Sequence, residues 1–333
     1  MHPYRFIIAA FLLSSCGEPP SYELSGATMG TRFSVTIAQP LEAPLREQLQ
    51  RQIEAELDAV ENAMSTYVVH SDISRFNAST STGWFPVGED TCRAVETAQR
   101  VSRLSDGAFD VTVGPLVNLW GFGPDPVQLE PPPRSAIEAA LERVDYRRLH
   151  TDCEQPALRK DRKDVYVDLS ASAKGYAVDR LAELLDSRNV ERYLVEIGGE
   201  LRLRGLNADG EQWSIAIETP SDGERAVGRI IRLSDKAMAT SGDYRNFFEY
   251  RGKRYSHTID PRTGRPTTHG LASVTVIGDN AAFADALATA LLVLGPTEGF
   301  DLAAREGLPA YFQVRRSEGF VERQTPDFPL VEH

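Results

Sequence analysis

A single histidine stands close to an acidic residue in the stretch YSHTIDPRTGRP, residues 255–266. The chain has only six histidines, and His257 is followed by Asp260 and a turn rich in glycine, proline and arginine. An imidazole has an ordinary pKa of about 6.5, so it can accept a proton near neutral pH. A lone histidine is more often structural or solvated, and the rest of the sequence has to decide between the two roles.

A carboxylate and a hydroxyl share one face of a predicted helix in the stretch NAAFADALATALLVLG. Asp285 and Thr289 are four residues apart, and the surrounding alanines leave space for a ligand. Hard oxygen ligands of this kind suit Mg²⁺ that is also bound to substrate phosphates. The alternative is a buried tertiary hydrogen bond on an otherwise apolar helix.

The stretch VYVDLSASAKGYAVD predicts a strand that runs into a helix. Asp168, the backbone of Ala171 and the side chain of Lys174 should then converge near the first helical turn. A helix N-terminus with a lysine beside it favours a phosphate group. In the alternative, Asp168 and Ser170 only cap the helix and Lys174 is solvated.

Three side chains offer faces for a flat ring: Met29 in GATMGT, Tyr67 in a polar loop and Phe109 in GAFD. Core packing is the alternative, and for Phe109 it is the stronger one. No G-x-G-x-x-G follows a strand and no Walker A lysine is present, so a nucleotide would not be held in Rossmann or P-loop fashion.

The elements that position these residues alternate between strands and helices. Apolar residues recur at three- and four-residue steps from Leu45 to Met64, which predicts an amphipathic helix. Alternating patterns predict strands in GATMGTRFSVTIA, DVYVDLS and QWSIAIETP, YLVEIGGELRLRG predicts a hairpin, and a helix is expected from Asn280 to about Leu294. This order predicts an α+β fold of mixed sheets with helices packed on them.

The composition is that of a globular protein, with 333 residues, 41% hydrophobic and 25% charged. The net charge of −12 would repel a phosphate backbone, and no run of lysine or arginine offsets it locally. We therefore expect no nucleic-acid partner. An anionic small substrate would need a metal ion, aimed basic side chains or backbone amides.

The N-terminus predicts export. Arg5 precedes the apolar run FIIAAFLL, which is far shorter than the roughly 20 residues of a spanning helix, and LSSC ends at Cys16. We expect residues 1–15 to be a lipoprotein signal peptide, Cys16 to carry the lipid, residues 16–23 to be a tether and residues 24–333 to fold as one domain. The alternative is a plain secretory signal with an incidental cysteine.

Two further cysteines, Cys92 and Cys153, belong to a chain that should enter an oxidising compartment. They can pair, or they can be two unrelated thiols, since only a structure supplies the distance between them. No C-x-x-C, H-E-x-x-H or paired Cys/His spacing supports a zinc or thiol-redox site.

Taken together, eight stretches resemble the ApbE family, the FAD:protein FMN transferases, in the family's order and from Gly26 to about Gly295. They are GATMGT, MSTY with SDISRFN, GAFDVTVGPLVNLWGFG, VDLSASAKGYAVD, EIGGELRLRG, ATSGDYRNFF, SHTIDPRTGRP and FADALATAL. Thr258 stands where an aliphatic residue is more usual, and Glu200 closes the GGE segment. We expect neither departure to disturb the binding of a ligand.

The resemblance implies a two-lobed, T-fold-like arrangement of the α+β fold and a Mg²⁺-dependent reaction. Such enzymes split the diphosphate of FAD, pass the FMN half to a threonine or serine hydroxyl on a partner protein, and release AMP. The acceptor would be an exported or membrane flavoprotein with a Thr/Ser-containing flavinylation motif. The resemblance places the protein on the periplasmic side of the bacterial inner membrane, anchored by lipid such as palmitate.

The resemblance also implies roles for individual residues. The contacts with FAD would be Met29, Tyr67, Ala108, Phe109, Asp110, Asp168, Lys174 and Thr258. The Mg²⁺ ligands would be the Ala171 carbonyl and the side chains of Asp285 and Thr289. His257 would receive the proton of the acceptor hydroxyl, while Asp260 would orient the loop or capture the metal or the proton.

Two other functions use the same residues. One is a Mg²⁺-dependent FAD pyrophosphatase that hands FMN to water, and the other is a flavin-binding lipoprotein without chemistry. The presence of His257, Asp285 and Thr289 argues against the second.

Overall fold

Eight antiparallel strands form the main sheet. The computed structural model describes residues 21–124, 130–220, 226–244 and 246–329, so the predicted signal peptide and Cys16 lie outside the described residues. Along the described chain the strands are β1 (Tyr22–Thr28), β2 (Thr31–Ile37), β3 (Phe85–Pro86), β4 (Leu149–Asp152), β5 (Ala157–Lys160), β6 (Tyr193–Ile197), β7 (Glu200–Arg204), β8 (Trp213–Thr219), β9 (Ala226–Leu233), β10 (Lys236–Gly242), β11 (Phe247–Tyr250), β12 (Lys253–Ser256), β13 (Ile259–Asp260), β14 (Arg265–Pro266), β15 (Leu271–Gly278), β16 (Ala310–Arg316) and β17 (Gly319–Gln324).

The main sheet has the strand order β1-β2-β6-β7-β10-β15-β16-β17, and smaller sheets join β3-β5-β4, β8-β9, β11-β12 and β13-β14. The predicted α+β class is confirmed. Every described ladder is antiparallel, which refines the mixed pairing that the interleaved pattern suggested. β1 already includes Tyr22 and Glu23, so ordered structure begins inside the segment predicted as a tether.

Seven α-helices accompany these strands in the described part of the chain. They are α1 (Ala43–Met64), α2 (Asp72–Ala78), α3 (Glu89–Leu104), α4 (Gly114–Leu119), α5 (Arg134–Leu141), α6 (Ala173–Ser187) and α7 (Ala281–Arg305). The predicted amphipathic helix is α1, which buries Leu49, Ile53, Leu57, Val60 and Met64 along one face.

Helix α7 continues beyond the predicted end at Leu294. Gly295 takes φ 84° and ψ −173°, and Pro296 then opens a second helical segment that reaches Arg305. A glycine tolerates this backbone and proline suits the first turn of a helix, so two helices meet at a kink. By length and composition α7 could cross a membrane, but 67% of its apolar window is buried in the protein. Its apolar residues pack on β15 and β16 as a core helix does.

The segment DVYVDLS does not form the strand that its alternating pattern predicted. Val165, Val167 and Leu169 are fully buried, as a strand pattern requires, but no strand pairs with the segment in the described chain. The Asn77 side chain bonds both the N–H and the C=O of Val167 instead, and the Asp168 N–H donates to the Val111 carbonyl. These bonds satisfy the backbone of Val167 and the N–H of Asp168 without a ladder.

A disulfide joins Cys92 to Cys153, with the two Cα atoms 5.7 Å apart. Cys92 lies in the first turn of α3 and Cys153 follows β4. The bond settles the open question about these cysteines and ties α3 to the small β3-β5-β4 sheet.

The buried side chains divide into a large core and a smaller one. Three apolar clusters cover the main sheet and its helices. A fourth cluster, which we call the small lobe, contains Leu116, Trp120, Ile137, Ala140, Phe248 and Ile259. It joins α4 and α5 to β11 and β13, in keeping with the two-lobed arrangement, and a cavity lies where it meets the main sheet.

Candidate active site

A cavity of about 500 Å³ gathers almost all of the residues singled out in the sequence. This volume is within the usual range for small-molecule sites. Its lining includes every residue predicted to contact FAD or metal, namely Met29, Tyr67, Ala108, Phe109, Asp110, Asp168, Ala171, Lys174, Thr258, Asp285 and Thr289, together with His257. These residues come from distant parts of the chain, so the fold, and not sequence proximity, brings them together.

Helices α6 and α7 cap each other at the floor of the cavity. The Gly175 N–H at the start of α6 donates to Oδ2 of Asp285 on α7 at 3.0 Å. In return, the Ala281 and Ala282 N–H groups at the start of α7 each donate to Asp179 of α6 at 2.9 Å. Each carboxylate satisfies backbone donors that a helix N-terminus leaves free, and each favours the positive end of the other helix dipole.

One ammonium lies between two buried carboxylates in this region. Nζ of Lys174 is 2.9 Å from Oε1 of Glu200 and 3.8 Å from Oδ2 of Asp285. Burial raises the pKa of both carboxyls, and the lysine charge opposes that rise. Burial alone would lower the pKa of Lys174, but the two carboxylates outweigh it and raise the pKa above its ordinary value. Lys174 is therefore charged, and it faces the cavity.

The predicted metal ligands fit a hard divalent cation. Among the described residues, no hydrogen bond reaches Oδ1 of Asp285, and the Ala171 carbonyl accepts none. The Thr289 hydroxyl, one turn along α7, lies 2.9 Å from the Ser241 hydroxyl. The described chain holds no cluster of three His, Cys, Asp or Glu side chains suited to a metal. One carboxylate with neutral oxygens matches Mg²⁺, which usually takes one or two carboxylates and completes its shell with water and substrate phosphates.

The geometry of His257 leaves one ring nitrogen available as a proton acceptor. Nδ1 is 2.9 Å from the Asn246 carbonyl oxygen. A carbonyl can only accept a hydrogen bond, so Nδ1 carries the proton of the neutral ring and Nε2 keeps its lone pair. Burial, aided by the Lys174 charge, lowers the pKa of His257 below its ordinary value of 6.5. The ring is therefore neutral at neutral pH, as a general base must be.

Asp260 does not line the cavity. Its carboxylate accepts hydrogen bonds from the backbone and the guanidinium of Arg262 at 2.9–3.0 Å. Its carbonyl closes the turn by accepting from the Gly264 N–H at 2.8 Å. The loop-orienting role expected for Asp260 matches this geometry, whereas capture of a metal or proton has no support in it. Arg262 pairs with Asp260 and lies 3.7 Å from Glu298, so its charge is engaged beside the turn.

The turn that carries His257 is held against the small lobe. Nε1 of Trp120 donates to the Gly264 carbonyl at 2.9 Å. Gly264 has φ 69°, and a Cβ on it would come within 2.7 Å of Ile137. Glycine is thus required here for the backbone conformation and for the close approach. Through these contacts the small lobe positions the cavity wall that bears His257.

Met29 and Tyr67 both line the cavity. Met29 has φ 47° and Gly30 has φ 70°, which makes the two-residue turn between β1 and β2 one with both central residues left-handed. A methionine in this conformation is uncommon and directs attention to the site. Tyr67 is 64% exposed, so it is not a core residue. Burial and the nearby Asp168 charge raise the pKa of Tyr67, which therefore stays protonated.

Asp168 is held by hydrogen bonds within its own loop. Its Oδ1 accepts from the N–H and the hydroxyl of Ser170 at 2.9 and 2.6 Å. These bonds lie in the loop before α6 and do not cap the helix, whose N-cap residue Ser172 makes no side-chain cap bond, so the capping alternative is wrong. Asp168 nevertheless lines the cavity. It can therefore organise the loop before α6 and present its remaining oxygen to a ligand.

The stretch from Ala108 to Asp110 makes most of its contacts within the protein. Phe109 belongs to the large core, as the packing alternative predicted. Oδ1 of Asp110 accepts from the N–H and hydroxyl of Thr112, and Oδ2 accepts from the Tyr146 N–H. Burial raises the pKa of Asp110 to about 6. With both oxygens engaged, Asp110 shapes the cavity wall through the backbone rather than through a free carboxylate.

Several cavity residues were not singled out from the sequence as site residues. They are Phe122, Glu200, Ser241 and Asn246. Each lies in a stretch that carries the family resemblance, GFG, GGE or ATSGDYRNFF. Residue type gave no signal, since a serine, an asparagine or a phenylalanine is common in any loop. Only the three-dimensional contacts with Thr289, His257 and Lys174 identify them.

Comparison with known proteins identifies the family of this chain. The ApbE family model matches residues 29–312. A FAD:protein FMN transferase of Vibrio cholerae is 44% identical, covering 97% of this chain and 96% of the relative. One from Salmonella typhimurium is 42% identical, covering 97% and 95%.

Solved structures show the same fold. The flavin transferase ApbE from Vibrio cholerae matches with a TM-score of 0.85 at 42% identity, covering 93% of this chain and 98% of that one. The apo form of the Pseudomonas stutzeri flavinyl transferase ApbE matches with a TM-score of 0.84 at 40% identity, covering 92% and 95%.

The fold and the cavity are thus those of an enzyme of the transferase class. The chain belongs to the ApbE family.

Proposed function

We propose that this protein is a Mg²⁺-dependent FAD:protein FMN transferase that moves FMN from FAD to a threonine or serine hydroxyl of an exported or membrane flavoprotein and releases AMP. The observation that carries the proposal is the single cavity in which ring-facing, phosphate-facing, metal-binding and proton-accepting residues meet. The names of the relatives support the choice of FAD as substrate and of a protein as acceptor.

The reaction exchanges the phosphoanhydride bond of FAD for a phosphate ester bond to the acceptor. The acceptor hydroxyl oxygen bonds to the phosphorus of the FMN half, and the bond from that phosphorus to the bridging oxygen of the diphosphate breaks. The bridging oxygen leaves with its electron pair on AMP. The hydroxyl proton passes to Nε2 of His257, the ring nitrogen left free by the Nδ1 contact.

The remaining residues bind and orient the substrate. Met29 and Tyr67 flank the flavin ring, and Lys174 faces the diphosphate. Asp285, Thr289 and the Ala171 carbonyl would hold Mg²⁺, which when bound neutralises diphosphate charge and polarises the phosphoryl oxygens. In a protein with a net charge of −12, this local positive charge is what lets an anionic substrate bind.

We also propose that residues 1–15 are removed as a lipoprotein signal and that lipid on Cys16 anchors the enzyme at the periplasmic side of the inner membrane. The LSSC sequence supports this proposal. An anchored enzyme would be close to exported or membrane acceptors.

The test is incubation of the protein with FAD, Mg²⁺ and a candidate acceptor flavoprotein, followed by a denaturing gel viewed under flavin fluorescence. Fluorescence should follow the acceptor band and should disappear with a chelator or when the acceptor threonine is changed to alanine. Free FMN without a fluorescent acceptor would instead indicate a pyrophosphatase. FAD binding without any product would indicate a binding protein.

A further inference from the structure

Glu200 is a buried acid that the proposed reaction does not use. It is 3% exposed, and its Oε2 atom is buried with no hydrogen-bond partner among the described residues. Its Oε1 atom is 2.9 Å from Nζ of Lys174, the only other residue in the described chain that pairs with this carboxylate. A buried carboxylate with a single partner is costly unless that partner needs it.

The local backbone is shaped to bring Glu200 and Lys174 together. Gly198 and Gly199, immediately before Glu200, have φ 61° and φ 106°. A Cβ on Gly198 would lie 3.3 Å from Cδ of Lys174 and 3.1 Å from Thr31. The glycines therefore let the turn pass beside the lysine stem, and the first residue of β7 then meets the ammonium.

We propose that Glu200 is a positioning residue that holds the Lys174 ammonium away from Asp285 and so keeps Asp285 free for a divalent cation. The proposal rests on the metal role of Asp285 given above. Nζ is 0.9 Å closer to the Glu200 oxygen than to the Asp285 oxygen, from 2.9 and 3.8 Å. Lys174 is a compact charge on a flexible stem, so its ammonium can shift between the two carboxylates.

Loss of the Glu200 charge would leave Asp285 as the sole anion paired with Lys174. The ammonium would then move into hydrogen-bond range of Asp285, where it competes with the metal for the same carboxylate. Coulomb energy grows as charges approach and as water is excluded, so this competition is strong in a buried cluster. Glu200 thus keeps two positive charges apart, so that Lys174 can face the substrate while the metal binds Asp285.

The first test is a crystal structure of the full mature chain carrying Glu200→Gln. The expected result is that Nζ of Lys174 moves to within about 3 Å of Asp285, the range of a charged hydrogen bond. A lysine that stays at the wild-type separation from Asp285 overturns the proposal. This test needs neither FAD nor turnover.

The second test measures Mn²⁺ binding to the FAD-free protein by electron paramagnetic resonance of the free ion. Glu200→Gln should weaken binding by about 10- to 100-fold, the usual cost of losing a group that supports a metal ligand. Lys174→Met should tighten Mn²⁺ binding. Glu200→Gln added to Lys174→Met should weaken Mn²⁺ binding much less than Glu200→Gln does in the wild-type protein. Glu196→Gln, on the same hairpin, is the matched control and should leave Mn²⁺ affinity unchanged.

An equal cost of Glu200→Gln in both backgrounds would mean that Glu200 acts on the metal through space, without Lys174, and would overturn the inference. The outcome is separable from that of the proposed function. If the lysine shifts and the Mn²⁺ affinities of the variants change as predicted but no FMN is transferred, only the proposed function is wrong. If FMN transfer is normal and neither effect is seen, only this inference is wrong.

Discussion

The carboxylate of Asp285 accepts a hydrogen bond from the Gly175 N–H at 3.0 Å, so the residue proposed to bind metal also caps the helix that carries Lys174. Metal binding and helix packing therefore depend on one side chain. This coupling explains why α6 and α7 approach so closely, and it makes the site sensitive to small changes in that contact.

Gly175→Ala should damage the site through packing alone. A Cβ at this position would lie 2.4 Å from the Ala281 carbonyl oxygen and 2.8 Å from Cβ of Asp285, so backbone would have to move. We expect a loss of about 1–3 kcal/mol in the free energy of unfolding, the usual cost of overpacking, together with weaker metal binding. Chemical denaturation measures the first effect. Gly83→Ala, where the nearest atom is 3.4 Å away, is the control and should be nearly neutral.

Asp285→Asn should remove the negative charge of this side chain while keeping its hydrogen bond to Gly175. The amide oxygen can still accept from Gly175, so the fold should persist, but the negative charge that attracts Mg²⁺ is gone. We expect turnover to fall by about 10² or more, since metal charge stabilisation contributes several kcal/mol, and the Mg²⁺ concentration for half-maximal rate to rise. Asp279→Asn, on an exposed residue paired with Lys236, is the matched control. Wild-type turnover at trace metal in the Asp285 variant would contradict the assignment.

His257→Ala should slow FMN transfer without weakening the binding of FAD. We expect transfer to fall by about 10² to 10⁴, the usual contribution of a positioned general base, while FAD affinity from fluorescence quenching changes little. His150→Ala, whose ring pairs with Asp161 outside the cavity, should behave as wild type. Parallel loss of FAD affinity and transfer would make His257 a substrate-binding residue instead.

The pH dependence of the transfer rate should follow the protonation of the His257 ring. The protonated imidazole cannot accept a proton, so the rate should fall as pH drops through the pKa of His257. Because burial lowers that pKa below 6.5, the wild-type rate should hold to more acidic pH than an ordinary histidine would allow. A profile of transfer rate against pH checks this, and the acid limb should vanish in His257→Ala.

Many residues of this site could be predicted from the sequence, because spacing within a short stretch determines which side chains share a face of a helix. The four-residue step from Asp285 to Thr289 fixes a shared helix face, and the apolar period of α1 fixes its buried side. What the sequence could not supply are contacts made across the fold. The Gly175–Asp285 bond spans 110 residues, and the Asn246 carbonyl that sets the His257 tautomer is an unremarkable backbone atom.

The segment DVYVDLS shows a different limit. Alternating burial requires an extended backbone but not a neighbouring strand, and here the Asn77 side chain replaces the ladder. Asp260 shows the same limit for chemistry. Its acidity and its place near His257 suggested a catalytic role, but an arginine two residues later takes up its carboxylate.

The disulfide should contribute to stability. It closes a loop with a sequence separation of 61 between Cys92 and Cys153, for which the chain-entropy model gives about 4 kcal/mol. Denaturant unfolding of a protein beginning at Pro20 should therefore shift to lower denaturant when a reductant is added. A variant with both cysteines changed to alanine should unfold at the lower concentration with or without reductant. An unchanged midpoint on verified reduction would contradict the estimate.

Lipidation should depend on Cys16 and not on the folded domain. Cells expressing the full chain with Cys16→Ser should not label the protein with palmitate, whereas a protein beginning at Pro20 should keep its activity, because the cavity residues all lie beyond it. Palmitate labelling of the Cys16→Ser protein would show that the anchor prediction is wrong.

Cleavage of FAD and modification of the acceptor should be one reaction. The most direct measurement is the ratio of AMP released to flavin attached to the acceptor, with AMP by chromatography and the acceptor by intact mass. We expect one AMP for each acceptor that gains the mass of FMN less one water, with no free FMN. AMP and FMN released in equal amounts, with the acceptor mass unchanged, would contradict it.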